Sequence, residues 1–439
     1  MSDNAMSYPD TLEIEPFAAR GLSASVSVPG SKSITNRALV LAALAKASGG
    51  CRLTGVLQSE DTEVMIACLR KLGFRLDVDW PTEVLVDSHS HRLIPEVTAD
   101  LFVANSGTSM RFLAAMVALG KGRYRLDGVP RMRERPIEDL LSALRTLGVQ
   151  ATSDAENGCP PITIDAAGVA GGPVAMRANL SSQFLSALLM IAPFTREGLT
   201  INLTGPLVSE PYIAMTLKML VHWGVSVSQP SFGSYRVEPG LQTELASYAI
   251  EPDASAASYF FAAAAILGGR VTVLDLPYDG LQGDTHFVDL LEQMGCRIEK
   301  CSSGITVYGG PLKGIDVDMN AISDTVMTLG AVACFAEGPT TIRNVAHIRH
   351  KETDRISALA TELRKVGAIV EEFANGLKIT PGPLHGAEID TYNDHRMAMS
   401  MALIGLQVPG IVIRNPGCVA KTYPGFWQDL SRLRLGASV

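Results

Sequence analysis

Leu69-Arg70-Lys71-Leu72-Gly73 runs into Phe74-Arg75-Leu76-Asp77-Val78, and this junction decides the architecture. Two apolar residues three apart, a glycine and a strand-like run read as a helix ended by a left-handed glycine and continued as a β-strand. The pattern returns at 144–148, 291–295 and 363–367, with a looser copy ending at Gly224. Successive glycines lie 75, 76, 71 and 72 residues apart. A fixed period of this length marks repeated supersecondary units.

A second anchor keeps the same beat. Ser33, Thr108, Ser182, Asp253, Asp324 and Asp394 each stand before an Ala/Leu/Met-rich helical run, at spacings of 75, 74, 71, 71 and 70 residues. Six units therefore share one plan: polar helix start, apolar helix, strand, second helix, glycine, strand. The last unit is incomplete, because its second helix (426–435) runs into Gly436 with three residues left. The stretches 12–15 and 24–28 alternate like strands and belong to no other unit, so the N-terminal segment is expected to complete the C-terminal domain. The predicted fold is α/β (α+β) with two similar three-repeat domains: 31–250, and 11–30 joined to 251–439. The polar helix starts admit two readings. They are N-caps, or they gather free N–H groups and partial positive charge into an anion site.

Composition excludes several classes. The chain has 439 residues, 47% hydrophobic and 19% charged, enough for two or three domains with a large core. Thirty-seven basic against 45 acidic residues leave a net charge of −8, which argues against a nucleic-acid or anionic-membrane binder. The most apolar stretches (38–45, 112–119 and 259–267) fall short of the ~18 residues that a membrane span needs. Residues 1–10 carry no basic residue and are expected to be a loose leader rather than a secretory signal. Seven Cys without a CxxC suggest free, mostly buried thiols in a reducing compartment, and the cytoplasm is the expected location. No HExxH or Cys pair accompanies His347 and His350, so no metal is expected.

The chemistry-bearing residues sit at the repeat's helix starts and loops. In Pro29-Gly30-Ser31-Lys32-Ser33-Ile34-Thr35-Asn36-Arg37, Lys32 and Ser33 open a helix and Arg37 shares a face with Ser33. The glycine spacing is wrong for a Walker loop. Asn105-Ser106-Gly107-Thr108-Ser109-Met110-Arg111 offers a glycine for close approach of a ligand and an Arg111 that is either a strut or a ligand contact. Arg131, Arg133 and Arg135 alternate along one loop, as a solvated turn or as carboxylate and phosphate ligands. Asn179-Leu180-Ser181-Ser182-Gln183 and Ser209 with Tyr212 add neutral hydrogen-bonding groups. Asp324, the run His347-Ile348-Arg349-His350-Lys351-Glu352-Thr353-Asp354-Arg355, Arg396 and Lys421 complete the set. Lys32, Arg37, Arg135, Lys351, Arg355, Arg396 and Lys421 are cations in an acidic protein and suit ligands with several negative charges. Asp324, Glu352 and Lys351 are available for proton transfer.

These motifs resemble the 3-phosphoshikimate 1-carboxyvinyltransferase (EPSP synthase) family: PGSKSITNRAL, NSGTSMRFL, RERPIEDL, LSSQFLSALL, HKETDRI, NDHRMAMS and AKTYPGF, in order from about Pro29 to Gly425. The resemblance implies an enolpyruvyl transferase fold of two domains, each of three βαβαββ units in an inside-out α/β barrel, closing on the substrates at the interdomain cleft. It implies transfer of the enolpyruvyl group of phosphoenolpyruvate to the 5-hydroxyl of shikimate 3-phosphate, on the route to chorismate and the aromatic amino acids, with no cofactor and a monomeric chain. Lys32, Ser33, Arg37, Ser181, Ser182, Gln183, Ser209, Tyr212, Asp324, His347 and Lys351 would hold shikimate 3-phosphate. Lys32, Asn105, Gly107, Arg135, Gln183, Arg355, Arg396 and Lys421 would hold phosphoenolpyruvate. Asp324, Glu352 and Lys32 would be catalytic. Two positions depart from the family pattern: His347 stands where many relatives have Asn, and Phe112 where many have Pro. Gly107 favours sensitivity to the inhibitor glyphosate. The rival within the fold, the transferase that uses UDP-N-acetylglucosamine, typically carries a Cys in the loop that here reads 128–136 without one. A rival of another class is a non-catalytic anion-binding module.

Overall fold

The computed structural model of the chain describes residues 8–17, 22–45, 47–87, 91–241 and 244–433. Residues 1–7 of the expected leader and the end of the last expected helix lie outside them; the described helix is Phe426–Arg432. The chain forms two compact units: Gly30–Ile250, and the segment up to Pro29 together with the chain from Glu251.

The repeat glycines do what their spacing predicts. Gly73, Gly148, Gly224, Gly295 and Gly367 have φ of +89°, +87°, +72°, +116° and +98°. That conformation costs a Cβ-bearing residue about 1–2 kcal/mol. Each ends a helix and releases the chain into a strand: Arg75–Asp79, Gln150–Ser153, Val227–Ser231, Arg297–Cys301 and Ile369–Phe373.

In the Gly30–Ile250 unit three four-stranded sheets share one topology. Thr98–Phe102 pairs parallel with Lys121–Asp127, which pairs antiparallel with Ile162–Ala167, and that strand carries Gln150–Ser153 as a hairpin partner. Gly172–Met176, Leu199–Leu203, Ser234–Val237 and Val227–Ser231 repeat this order. The first sheet takes its opening parallel strand from the far end of the unit, Ser247–Ala249 against Cys51–Thr54.

The other unit repeats the scheme with a borrowed N-terminus. Thr11–Ile14 pairs antiparallel with Ile411–Arg414 and supplies the strand that the last repeat lacks. The second N-terminal stretch behaves differently from the first. Ser23–Val26 pairs parallel with Arg270–Leu274 and opens the fourth repeat. Two other opening strands escape a sequence reading because they are short. Ser247–Ala249 has three residues and Glu388–Ile389 two, too few to display a period of two. Among the described residues the strands form six separate open sheets, and none closes into a barrel.

Three helices fill the middle of each unit. Lys32–Ala45, Gly107–Ala118 and Ser182–Ile191 are apolar on nearly every side, and Gly107–Ala118 is buried at every position. Ala254–Leu267, Val326–Ala333 and His395–Gly405 are their counterparts. A helix apolar all round is stable only where it is enclosed on all sides. The sheets supply the enclosure by presenting one face inward, as the alternating burial of Gly172–Met176 and Gln150–Ser153 records. The second helices, such as Glu138–Thr146, bury one stripe only. All seven cysteines are free thiols, with Cys51, Cys68, Cys296 and Cys334 buried. No helix among the described residues is long and apolar enough to cross a membrane.

The borrowed strand is locked by contact as well as by hydrogen bonds. A Cβ placed on Gly405 would come within 2.6 Å of the Ile14 Cβ, so the inner helix lies directly on the strand. Ile14 is 6% exposed. Ile14→Ala should therefore destabilise this unit by about 2–4 kcal/mol, read as a fall in its denaturant midpoint. An unchanged midpoint would mean that the pairing contributes little.

Candidate active site

The polar groups gather where the inner helices begin. In the Gly30–Ile250 unit, the Ser181 side chain caps Ser182–Ile191 by accepting from Gln183 N at 3.2 Å. Gln183 Nε2 donates to Thr108 Oγ1 at 3.4 Å, which ties the starts of two inner helices together. Arg37 ties in the third. It is 2% exposed, and it donates to Ser33 O (2.9 Å), Thr216 Oγ1 (2.8 Å), Ser186 Oγ (3.1 Å) and Tyr212 O (3.4 Å). The Phe112 ring lies under its guanidinium at 5.1 Å. Burial pulls the Arg37 pKa down to about 10. The cation is held by neutral oxygens and a ring face; Nη1, which donates to Ser33 O, carries a second N–H. Lys32, at the helix start, lies 3.4 Å from the buried Asp61. Ser209, buried, takes a left-handed φ of +52° immediately before Glu210–His222.

The alternating arginines divide. Arg133 pairs with Asp127 at 2.8 Å and Arg131 with Glu134 at 2.8 Å, both as solvated surface pairs. Arg135 is 4% exposed and donates to Asn105 O at 3.0 Å and Asn105 Oδ1 at 3.3 Å. Arg111 is a strut: its guanidinium donates to Gly107 O (3.3 Å) and Pro136 O (2.9 Å). Gly107 is where these two side chains meet the helix start. A Cβ there would sit 2.5 Å from Arg135 Nη2 and 3.0 Å from Arg111 Nη1.

The second unit carries a denser set of charges. Arg355, 1% exposed, donates to Asp394 Oδ2 (2.8 Å), Glu352 Oε2 (2.9 Å) and Asp324 Oδ1 (3.1 Å). Burial alone would lower its pKa, but the carboxylates of Asp394, Glu352 and Asp324 more than reverse that. Asp324 also accepts from Arg396 Nη2 at 2.8 Å and lies 3.8 Å from Lys351 Nζ. Arg396 Nη2 reaches Ser255 Oγ at 3.4 Å. Asp324, Arg396 and Ser255 stand at the starts of the three inner helices, so those starts converge here as well. Lys421 is 4% exposed at the end of the turn Pro416–Lys421, which packs on His395–Gly405. His347 is 5% exposed, and its Nε2 pairs with Ser323 Oγ at 2.9 Å, one residue before Asp324. Burial, with Lys351 adding, pulls the His347 pKa down to about 4, so its imidazole is neutral at physiological pH.

The structure also separates the two readings of the polar helix starts. Asp253 caps its helix by accepting from Ala256 N at 2.9 Å. Asp394 does both jobs: Oδ1 accepts from Arg396 N at 2.9 Å, while the carboxylate holds Arg355. Asp324 lies in the turn Ser323–Thr325 and faces three cations. Sequence reading missed Asp61, Ser255 and Asp284, and missed the pairing of Asp394 with Arg355. Asp284 had one weak signal, an acid in the polar turn Gln282-Gly283-Asp284 ahead of an apolar helix. Its neighbour, Ser255, comes from a helix start 29 residues away in sequence.

Two sets of cations and hydrogen-bond donors at convergent helix starts suit multiply charged anions. The sequence model of EPSP synthase (3-phosphoshikimate 1-carboxyvinyltransferase) matches residues 18–430. The chain belongs to this family. The 3-phosphoshikimate 1-carboxyvinyltransferase of Nostoc punctiforme is 51% identical over 420 residues, covering 95% of this chain and 98% of that one. The enzyme of the same name from Trichormus variabilis is 49% identical over 425 residues, covering 97% and 99%. Among solved structures, EPSP synthase from Acinetobacter baumannii superposes with a TM-score of 0.80 at 25% identity, covering 97% of this chain and 98% of that one. The enolpyruvyl transferase NikO from Streptomyces tendae shares the fold, with a TM-score of 0.75, 20% identity and 97% of each chain covered.

Within this EPSP synthase fold the His347 environment makes a direct prediction. An NMR titration should find the imidazole neutral down to about pH 4. Because the folded pKa is depressed, its contribution to stability is present above the unfolded value near 6.5. That contribution is lost as pH falls from there toward about 4. An imidazole that titrates near 6.5 would show that the site is open to water.

Proposed function

We infer that this chain transfers the enolpyruvyl group of phosphoenolpyruvate to the 5-hydroxyl of shikimate 3-phosphate and releases phosphate, a step toward chorismate and the aromatic amino acids. Asp324 carries this reading: its carboxylate is held at 3.8, 3.1 and 2.8 Å by Lys351, Arg355 and Arg396. Anionic substrates compete for those cations, which loosens Asp324 as a proton acceptor.

Shikimate 3-phosphate is assigned to Lys32, Ser33, Arg37, Ser181, Ser182, Gln183, Ser209, Tyr212, Asp324, His347 and Lys351. Phosphoenolpyruvate is assigned to Lys32, Asn105, Gly107, Arg135, Gln183, Arg355, Arg396 and Lys421. Arg37 contributes its second Nη1 hydrogen. His347, being neutral, offers hydrogen bonding in place of the amide that many relatives carry there. The two domains are 31–250, and 11–30 with 251–439; the chain works as a cytoplasmic monomer without cofactor and is a target of glyphosate.

The chemistry is addition followed by elimination. A proton added to the phosphoenolpyruvate methylene makes C2 electrophilic. The 5-hydroxyl oxygen bonds to C2 and its proton passes to Asp324, which gives a tetrahedral phosphate ketal. Loss of a methyl proton then re-forms the double bond as the C2–O bond to phosphate breaks. Glu352, buried beside Arg355 at 2.9 Å, exchanges the proton at the methylene. Lys32 stabilises charge near both reactants, and exclusion of water strengthens these electrostatic effects.

The first test is phosphate release with both substrates; binding of both without turnover would favour an anion-binding module. Asp324→Ala should keep the fold and lower kcat by about 10²–10⁴-fold, and wild-type turnover would remove Asp324 from the mechanism. Lys32→Ala and Arg135→Ala should each raise KM for phosphoenolpyruvate. Gly107→Ala should do the same, because its Cβ would displace Arg135 Nη2, 2.5 Å away. Unchanged phosphoenolpyruvate kinetics in all three variants would count against the assignment.

A further inference from the structure

Asp284 has no part in the roles above, yet it is built into the same cluster. It is 4% exposed, in the turn Gly283–His286. The turn is anchored on both sides. Thr285 Oγ1 donates to Tyr278 O (3.0 Å) and Gln282 O (2.8 Å). Gln282 Nε2 donates to Pro252 O at 2.7 Å, and Gln282 Oε1 accepts from Ala254 N at 3.0 Å. Gln282 therefore clamps the turn onto the start of Ala254–Leu267 and brings Asp284 to Ser255.

A directed chain of hydrogen bonds follows. Arg396 Nη2 donates to Ser255 Oγ at 3.4 Å, and Ser255 Oγ donates to Asp284 Oδ2. The same Nη2 donates to Asp324 Oδ2 at 2.8 Å. Arg396 thus stands between two carboxylates from different elements, one in direct contact and one relayed by a serine. Burial, with Asp324 adding, pushes the Asp284 carboxyl above the usual carboxylate range, while Arg396 and Ser255 oppose the shift. A buried carboxylate is costly unless it is paired and hydrogen-bonded. A neutral side chain at 284 would fill the same space without that cost.

We propose that Asp284 is a positioning residue, which acts through Ser255 to hold the Arg396 guanidinium in the orientation that receives phosphoenolpyruvate. The proposal rests on the assignment of Arg396 to that substrate. Without the charge on Asp284, Arg396 turns fully onto Asp324 and a substrate anion must pull it away.

Steady-state kinetics of Asp284→Asn, Ser255→Ala, Arg396→Lys and the double variant D284N/R396K test this. Asp284→Asn should raise KM for phosphoenolpyruvate about tenfold and leave KM for shikimate 3-phosphate within about twofold. Ser255→Ala should shift the same constant in the same direction. Arg396→Lys keeps the charge but loses the planar fork, so adding Asp284→Asn to it should raise KM no further; coupled residues behave this way. A wild-type KM for phosphoenolpyruvate in Asp284→Asn, or a full-sized added effect in the double variant, would overturn the proposal. So would an equal rise in both KM values with a lowered thermal midpoint, the mark of a purely structural residue. Should Asp284→Asn fail to fold, Ser255→Ala with its own Arg396→Lys double variant carries the same test. If Arg396→Lys itself left KM for phosphoenolpyruvate unchanged, the assignment of Arg396 would fall, and this proposal with it.

Discussion

A helix that is apolar around its whole circumference can present polar groups only at its ends. That constraint organises both units. The six inner helices are enclosed by sheets, so their hydrogen-bonding and charged side chains are confined to the starts. Helix starts carry N–H groups that lack intrahelical partners and a partial positive charge. Bringing three together makes a place where anions are favoured before any basic side chain is counted.

The two units complete that field differently. In Gly30–Ile250 the buried Arg37 is held by hydroxyl and carbonyl oxygens and the face of Phe112. In the other unit Arg355 and Arg396 are held by carboxylate side chains, with Asp324 shared between them. A guanidinium among neutral oxygens keeps much of its field for an incoming anion. A guanidinium locked by carboxylates is oriented more rigidly, but a ligand must compete for it. Removing one member of such a buried pair typically costs about 3–5 kcal/mol, because the other is left as an uncompensated charge. The second unit therefore combines stiffness with proton-accepting groups, and the first combines hydrogen-bonding groups with a less neutralised positive charge.

Much of this was legible in the residues. The glycine period marked the repeats because a left-handed helix end is a local backbone event that a glycine reports directly. The missing last strand and the spare N-terminal strands could be matched by counting, and Thr11–Ile14 does fill the gap. The opening strand of the first sheet could not be read, since Ser247–Ala249 pairs with Cys51–Thr54 across almost the whole length of its unit. Helix starts were readable, but their work was not. Asp253 and Asp394 look alike in sequence, and only Asp394 also meets Arg355. Arg131, Arg133 and Arg135 are equivalent as letters, yet the turn Pro130–Glu134 sends two outward and buries the third.

By itself, the sequence determined the repeat, the helix ends and the kinds of charge available, because these depend on conformational preferences within a few residues. Tertiary structure alone decided which charges neutralise one another. Asp284 reaches Ser255, and Arg396 reaches Asp324, across separations of 29 and 72 residues. Coulombic interaction depends on distance in space, and burial sets the dielectric around it. Neither quantity exists for the chain until it has folded.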